Sequence, residues 1–337
     1  MEKKSTKKTT VAAPVREDLG KCLEENEFSE YQRQGFLISE DGVLKGYFGR
    51  DAEVTVPDVV TEIGDNVFQG KRLTSLVLPS SVQKIGKSIF RDCAQDITVT
   101  LCVAAGKLTP SFTFFKGSLS LVFKEGVQEI PKQALSGCKS LASVKIPYGV
   151  ATIGEGAFKD CAGLRSVSLP SSVRSIGREA FSGCKNLTVV TMQTGLQKID
   201  ASAFCGCESL GSVVLPDSVT EIGSYTFEDC KALSSVTLSS SLQSIPYAAF
   251  QRCASLASVT IPSGVKKIGY FAFAGCAALT EAMIPKSVES IEKEAFSGCA
   301  NLKRIRYGGK LKEWNNIVFG ERWERGASSH ELLCEGK

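Results

Sequence analysis

The fold class that the sequence predicts is an α/β solenoid with one short parallel strand in each coil. A unit of 23 residues recurs along the chain, and its copies at 141–163, 164–186 and 187–209 align without a gap. Each copy contains apolar residues that alternate with the period of a strand. A strict period of this length indicates a solenoid, because one unit is too small to bury its own apolar face and needs its neighbours.

The apolar columns of the unit keep their spacing over most of the chain. The unit is L-x-x-V-x-[IL]-P-x-x-V-x-x-I-G-x-x-A-F-x-x-C-x-x, and each of its fixed positions recurs 23 residues later. The leucine column runs from Leu141 to Leu302, and the phenylalanine column runs from Phe158 to Phe296. Side chains that return at the same place in every coil are expected to stack into one continuous core.

Within one unit, the pattern predicts where each segment points. Val144 faces inward on a short strand, and its neighbour Lys145 faces outward. Pro147 has no backbone N–H and ends that strand. Val150 and Ile153 form a second inward pair. The segment after them is long enough for one or two helical turns at most.

The unit resembles the 23-residue class of the BspA-like leucine-rich repeat family. The elements L-x-x-V-x-[IL]-P, V-x-x-I-G-x-x-A-F and C carry the resemblance over roughly residues 54–310. The resemblance implies a leucine-rich repeat right-handed superhelix with few and short helices. It also implies a bacterial surface or secreted protein that binds proteins, glycans or other cells.

The chain divides into four predicted parts: a disordered tail at 1–13, an N-terminal cap at 14–53, the repeat solenoid at 54–310 and a C-terminal cap at 311–337. The N-terminal cap is expected to consist of a short helix within residues 15–32 and a hairpin around Asp41 and Gly42. Trp314 and Trp323 are expected to close the other end of the solenoid.

The third coil, at 96–118, departs from the unit. It keeps a strand at Ile97–Val103 and then loses the V-x-x-I-G-x-x-A-F element. One interpretation is a degenerate coil in which Phe112, Phe114 and Phe115 replace the missing core side chains. The other is a ligand-binding insertion, since loops on a rigid scaffold often carry function.

Thirteen cysteines are present, and nine of them occupy the repeat position if Cys93 is counted. The favoured interpretation is a column of buried, reduced thiols that pack as small apolar groups. Disulfides and metal binding are the alternatives, but parallel side chains point the same way, and zinc sites require closely spaced pairs. Cys205 lies beside this column and is either an exposed redox thiol or a neutral substitution.

Composition argues against several classes of partner. The chain carries 40 basic and 36 acidic residues, a formal net charge of +4, which gives no case for nucleic acid. No apolar run is long enough to span a bilayer. The first residues are basic without an apolar segment, so they do not form a signal peptide. Location therefore stays open between the cell surface, which the resemblance implies, and the cytoplasm.

The sequence contains no recognised catalytic motif. G-x-S-x-G, H-E-x-x-H and the Walker loop are absent, and the single histidine, His330, lies in the C-terminal cap without a nucleophile motif nearby. We therefore expect no enzyme, no cofactor and no metal. A hydrolase or a thiol enzyme that uses Cys205 or His330 is the least favoured alternative.

Aromatic residues occupy one or both of the two variable positions, marked x, of I-G-x-x-A-F in three consecutive coils. We call these two positions the free positions. The aromatic residues are Tyr225, Tyr247, and Tyr270 with Phe271, and the coil spacing predicts one exposed strip. Exposed contiguous aromatic side chains are typical of protein, carbohydrate or self-association surfaces. The alternative is that the rings pack against neighbouring coils.

The outward strand positions offer a second candidate surface. They begin with Lys145, continue through small hydroxyl residues and end near the basic residues Arg304 and Arg306. The basic residues indicate either an acidic partner or a solvated edge. The favoured hypothesis is a non-catalytic module that binds a protein or a glycan through the repeat surface, and the alternative is an intracellular scaffold.

Overall fold

A computed structural model describes residues 25–101, 112, 115–327 and 330–335 of the chain. Successive coils contribute parallel strands to a front wall, which consists of a 9-stranded and a 4-stranded sheet. Equivalent residues lie side by side, as Val144 does with Val167. The front-wall strands are Glu53–Thr55, Ser75–Leu78, Ile97–Leu101, Leu119–Phe123, Leu141–Lys145, Ser166–Leu169, Val189–Met192, Ser212–Val214, Ser235–Thr237, Ser258–Thr260, Glu281–Ile284, Arg304–Tyr307 and Glu331–Cys334.

A second wall of two-residue strands runs beside the front wall. The sequence predicted here only an inward apolar pair, but the isoleucines of successive coils pair in register, as Ile153 does with Ile176. The short strands of this second wall are Glu62–Ile63, Lys84–Ile85, Glu129–Ile130, Thr152–Ile153, Ser175–Ile176, Lys198–Ile199, Glu221–Ile222, Ser244–Ile245, Lys267–Ile268, Ser290–Ile291 and Val318–Phe319. At its start, an antiparallel hairpin of Phe36–Ile38 and Val43–Tyr47 pairs with Glu62–Ile63.

In the described coils, the third side, which we call the turn side, consists of consecutive turns, where the sequence allowed one or two helical turns. The N–H of Phe158 donates to the carbonyl of Ala180 in the next coil at 2.7 Å, and Phe181 repeats this with Ala203 at 2.8 Å. These amides bond between coils, so they are not available for the i to i−4 bonds of a helix. The helices of the described chain are Glu25–Arg33 and Leu311–Trp314.

The phenylalanine column forms the centre of the core. From Phe158 to Phe296, successive rings are stacked with centroids 5.1–5.5 Å apart and interplanar angles of 3–16°. All of these side chains are fully buried. In the third coil, Phe112 and Phe115 lie 5.9 and 5.7 Å from Phe90, so they continue the column in place of a repeat phenylalanine.

The cysteine column is buried and reduced among the described residues, as the favoured interpretation expected. The thiols also do more than fill space. Cys184 Sγ donates to the carbonyl of Phe158 in the preceding coil at 3.1 Å, and Cys207 donates in the same way to Phe181 at 3.3 Å. The thiols therefore join the coils through hydrogen bonds as well as through packing.

The structure describes the two predicted caps of the solenoid only in part. The N-terminal helix spans Glu25–Arg33, and the earlier part of the predicted helix lies outside the described residues, as does the predicted tail at 1–13. Phe114 and most of the irregular third coil also lie outside them. At the other end, Trp314 is buried against Tyr307 and lies 6.3 Å from Trp323.

Candidate functional site

A residue with a left-handed backbone conformation recurs on the turn side and sets its geometry. Most coils have a positive φ at the second free position of I-G-x-x-A-F, and the residues there are mostly small or polar: Asn66, Ser88, Gln133, Gly156, Glu179, Ser202, Ala248 and Glu294. Tyr225 and Phe271 occupy the same position with φ of 60° and 57°. Bulky residues rarely adopt this conformation, which costs on the order of 1–3 kcal/mol. The two aromatic residues are therefore held in place against a backbone preference.

Three rings on this side form a continuous aromatic strip, which we define as Tyr225, Tyr247 and Phe271. The Tyr225 and Tyr247 ring centroids are 5.0 Å apart at 64°, and those of Tyr247 and Phe271 are 5.7 Å apart at 65°. Tyr247 is 39% exposed, whereas Tyr225 and Phe271 are half-buried. A hydrogen bond between the two tyrosine side chains is the main cause that raises the pKa of Tyr225. The strip is thus partly packed and partly open to solvent.

Tyr270 has different partners from the strip, although the sequence grouped it there. Its ring lies 5.9 Å from the Lys267 ammonium, and its side chain hydrogen-bonds with Glu292. Glu292 also pairs with Lys267 at 2.5 Å, and the Lys267 hydrogen bond is the main cause that lowers the pKa of Glu292. Tyr270 is 43% exposed. The ring contacts of the strip pass instead from Tyr247 to the adjacent Phe271.

An ionic network anchors the coil edge beside the strip. Arg252 donates to both carboxylate oxygens of Asp229, at 2.8 and 2.6 Å, and to Glu228 at 2.8 Å. The Arg252 guanidinium holds the pKa of Asp229 below its usual range. The amide of Glu228 donates to the Tyr225 carbonyl at 3.1 Å. The segment that carries the first ring of the strip is therefore tied to the next coil by charge-assisted bonds.

Cys205 lacks the environment of a reactive thiol. It is half-buried, and its Sγ lies 3.5 Å from a Glu228 carboxylate oxygen. Burial, followed by the Glu228 charge, raises the pKa of Cys205 to about 12. Redox and nucleophilic cysteines instead have lowered pKa values beside positive groups. The interpretation of Cys205 as a substitution without chemistry fits this environment better.

His330 contacts the C-terminal aromatic cluster. Its Nδ1 lies 3.3 Å from Glu324 Oε2, and its ring centroid lies 6.2 Å from that of Trp323. Among the described residues, no group of three or more His, Cys, Asp or Glu side chains is arranged to hold a metal ion.

The basic residues of the front wall do not converge on one site. Lys145 is exposed on the 9-stranded sheet, whereas Arg304 and Arg306 are exposed on the 4-stranded sheet. Arg306 forms an ion pair with Glu281 of the preceding strand. Arg304 lies between Glu281 and Glu331 in the strand register. Neighbouring carboxylates therefore offset the positive charge that the sequence pattern suggested for an acidic partner.

Between these charged ends, the front wall is uncharged over five coils. Its outward residues are Ser166, Ser168, Val189, Thr191, Ser212, Val214, Ser235, Thr237, Ser258 and Thr260. Val189 and Val214 are 53% and 61% exposed, so the centre of this face is mildly apolar.

The structure also has a cleft that the sequence did not indicate. It has a volume of about 500 Å³ at the carboxyl ends of the last front-wall strands, and its lining includes Pro262, Met283, Tyr307 and Cys334. A signal in the sequence that could have pointed to it is Met283, which stands in a column of mostly hydroxyl residues. In the structure Met283 is 44% exposed. No described helix is long and apolar enough to cross a membrane.

Stacked 23-residue coils with parallel strands, a phenylalanine column and a cysteine column define a leucine-rich repeat solenoid. The chain belongs to the family described as BspA type leucine rich repeat region. A six-copy model of that family matches residues 51–114, 107–233 and 197–322. The family and the fold class expected from the sequence are thereby confirmed.

Several solved bacterial structures are similar to the chain. A leucine rich cell surface protein from Faecalibacterium prausnitzii is 28% identical, with 84% of this chain and 95% of that chain covered and a TM-score of 0.44. A leucine-rich repeat protein from Eubacterium ventriosum is 18% identical, with 87% and 92% covered and a TM-score of 0.46. One from Bacteroides ovatus is 22% identical, with 87% and 94% covered and a TM-score of 0.38. A comparison with curated proteins found no match.

Proposed function

We propose that the protein is a non-catalytic binding module that recognises a protein or glycan partner through the aromatic strip on its repeat surface. The observation that carries the proposal is the backbone of Tyr225 and Phe271. Both adopt a left-handed conformation that other coils mostly give to small or polar residues. Strain of this kind persists where the surrounding structure holds it, and it clusters at ligand-binding sites.

The geometry of the strip suits recognition. Aromatic side chains combine a large apolar area with low conformational entropy, and they are enriched in the cores of interfaces. Edge contacts between the rings, together with the ionic network around Arg252, hold the strip before a partner arrives. A preorganised surface loses less entropy on binding.

A matched set of serine variants tests the proposal. Serine is the suitable replacement because Ser202 occupies the same left-handed position in its own coil with φ of 58°. The wild-type protein is applied to glycan and protein arrays, and its hits are measured again with the Tyr225→Ser, Tyr247→Ser, Phe271→Ser triple variant. We expect the triple variant to bind at least tenfold more weakly.

The control is Tyr270→Ser, which changes a ring outside the strip about as exposed as Tyr247 and should retain wild-type affinity. Wild-type affinity in the triple variant would contradict the proposal and move the site to the front wall or the third coil. Sedimentation of both proteins measures whether a second copy is the partner, since self-association through the strip would disappear in the triple variant.

Location on a bacterial cell surface is part of the same proposal. Its support is the family resemblance, together with the similarity to a cell surface protein of Faecalibacterium prausnitzii. Digestion of intact producing cells with an external protease tests it. Loss of the protein from intact cells is the expected outcome, and complete protection until lysis would support the intracellular scaffold instead.

A further inference from the structure

Both walls of the solenoid are interrupted at one coil, residues 233–255, which we call the seam coil. On the second wall, its strand Ser244–Ile245 belongs to a different sheet from the preceding strand Glu221–Ile222. On the front wall, its strand Ser235–Thr237 is the last of the 9-stranded sheet, and Ser258–Thr260 begins the next sheet. The seam coil therefore lacks strand pairing with the coil before it on one wall and with the coil after it on the other.

A single substitution explains the break in the second wall. In the neighbouring coils the residue after isoleucine is glycine, and its amide donates across the coils: Gly223 to the Ile199 carbonyl and Gly269 to the Ile245 carbonyl, both at 2.8 Å. The seam coil has Pro246 at this position. Proline has no N–H, so it cannot donate to the Ile222 carbonyl.

The front wall opens beside a second departure from the repeat. Ser239 replaces the usual proline, is fully buried, and donates through Oγ to the Val219 carbonyl of the preceding coil at 2.6 Å. Val236 is partly exposed, whereas its equivalents Val213 and Val259 are each 2% exposed. A cleft of about 360 Å³ opens here, and its lining is Val236, Thr237, Leu238, Ser240, Thr260, Pro262 and Ser263.

The third side of the solenoid continues through the seam coil without a break. The Phe250 ring stacks on Phe227 at 5.3 Å and on Phe273 at 5.4 Å. Cys253 Sγ donates to the Phe227 carbonyl at 3.2 Å.

Each interface of the seam coil lacks strand pairing on one wall only, since Ser212–Val214 pairs with Ser235–Thr237 before it and Ser244–Ile245 pairs with Lys267–Ile268 after it. The third side is the side that stays joined at both interfaces. We therefore expect these two successive interfaces, each with one open wall, to tilt about the third side more readily than fully paired coils.

We propose that the seam coil is a flexure, at which the N-terminal and C-terminal parts of the solenoid tilt against each other about the phenylalanine and cysteine columns. The aromatic strip lies across the same coils, since Tyr225, Tyr247 and Phe271 belong to the seam coil and its two neighbours. If the strip is the binding surface proposed above, its rings lie on the joined third side, where Tyr225 N–H donates to the Tyr247 carbonyl at 3.0 Å, so tilting moves the two walls while the strip keeps its ring contacts. The flexure itself does not depend on that role.

Distances between spin labels test the flexure in the full-length protein without a ligand. Nitroxide amino acids that need no cysteine replace Thr191 and Thr260, which lie three coils apart on either side of the front-wall break. The control pair replaces Lys145 and Val214, which also lie three coils apart but within the 9-stranded sheet. Pulsed dipolar spectroscopy then gives the width of each distance distribution.

We expect the distribution across the seam to be at least twice as wide as that of the control pair. Pro246→Gly restores the missing amide and is expected to narrow the seam distribution toward the control. Equal widths for the two pairs in the wild-type protein would overturn the proposal, and this comparison stands even if the glycine variant does not fold. Neither measurement uses the aromatic strip, so its outcome is independent of the proposed binding function.

Discussion

At the scale of single residues, the cysteine column illustrates how a buried polar atom shapes residue choice. From Cys184 to Cys299, each thiol of the column fills a small apolar site and also donates to a phenylalanine carbonyl of the preceding coil, as Cys276 does to Phe250 at 3.2 Å. Alanine would fill part of the volume but could not donate, and serine would bring a more strongly hydrated hydroxyl into the core. Cysteine meets both requirements because its S–H is a weak donor on a largely apolar side chain.

This column predicts a loss of stability in alkaline solution. Burial raises the pKa of Cys184 and of Cys299 from the ordinary 9.0 to about 12. Above pH 9 the unfolded chain releases thiol protons that the folded chain keeps, so rising pH favours unfolding. The free energy of unfolding should fall by about 1.4 kcal/mol for each such thiol between pH 8 and pH 10.

Urea unfolding at pH 8, 9 and 10 measures this loss. Cys184→Ala serves as the control, because its unfolding free energy should fall less over the same interval than that of the wild type. A wild-type unfolding free energy that is constant from pH 8 to pH 10 would contradict the assignment of the column as buried, protonated thiols.

A pair of glycines separates backbone conformation from packing. Gly206 has φ of 70°, and a Cβ added there would meet its nearest atoms only at 3.8 Å. Gly206→Ala should therefore destabilise by about 1–2 kcal/mol through the left-handed backbone alone. Gly211→Ala, where no atom lies within 4 Å and φ is outside that region, should change stability by less than about 0.5 kcal/mol.

Thermal unfolding of both variants compares the two positions. Equal stability of the Gly206→Ala variant and the wild-type protein would mean that the left-handed turn is not a source of conformational cost in this solenoid.

At the scale of elements, the turn side decides which candidate site residues meet. The sequence placed four aromatic residues in one strip, but the left-handed residue that most described coils have on this side turns neighbouring side chains in different directions. Phe271 therefore contacts Tyr247, whereas Tyr270 contacts Lys267 and Glu292. Spacing by 23 residues predicts which coil a side chain belongs to, but it does not predict the direction in which the side chain leaves the turn.

At the scale of the whole molecule, the solenoid is one unit translated many times. Each coil contacts its neighbours, so stability is approximately a sum of coil and interface contributions. Residues 164–186 form one complete unit, and their removal joins Gly163 to Leu187, which has the same place in the repeat as Leu164. We expect this deletion to give a folded solenoid that is shorter by one coil, about 4.8 Å.

Circular dichroism and small-angle scattering measure this outcome. Deletion of residues 164–175, about half a unit, is the matched control and should abolish cooperative unfolding, because it places outward residues in core columns. Loss of folding after the full-unit deletion would show that the coils are not interchangeable.

The sequence by itself determined the repeat, the front-wall strands, the core columns and the family, because each depends on side chains that return at a constant interval. It also located the aromatic candidates and the irregular third coil at 96–118 as departures from the pattern. Only the tertiary structure decided that the second apolar pair forms a wall, that Tyr270 leaves the strip, and that both walls part at one coil. These outcomes depend on backbone torsions and on hydrogen bonds between coils. Because such a hydrogen bond joins residues about 23 positions apart, the pattern within one unit does not predict it.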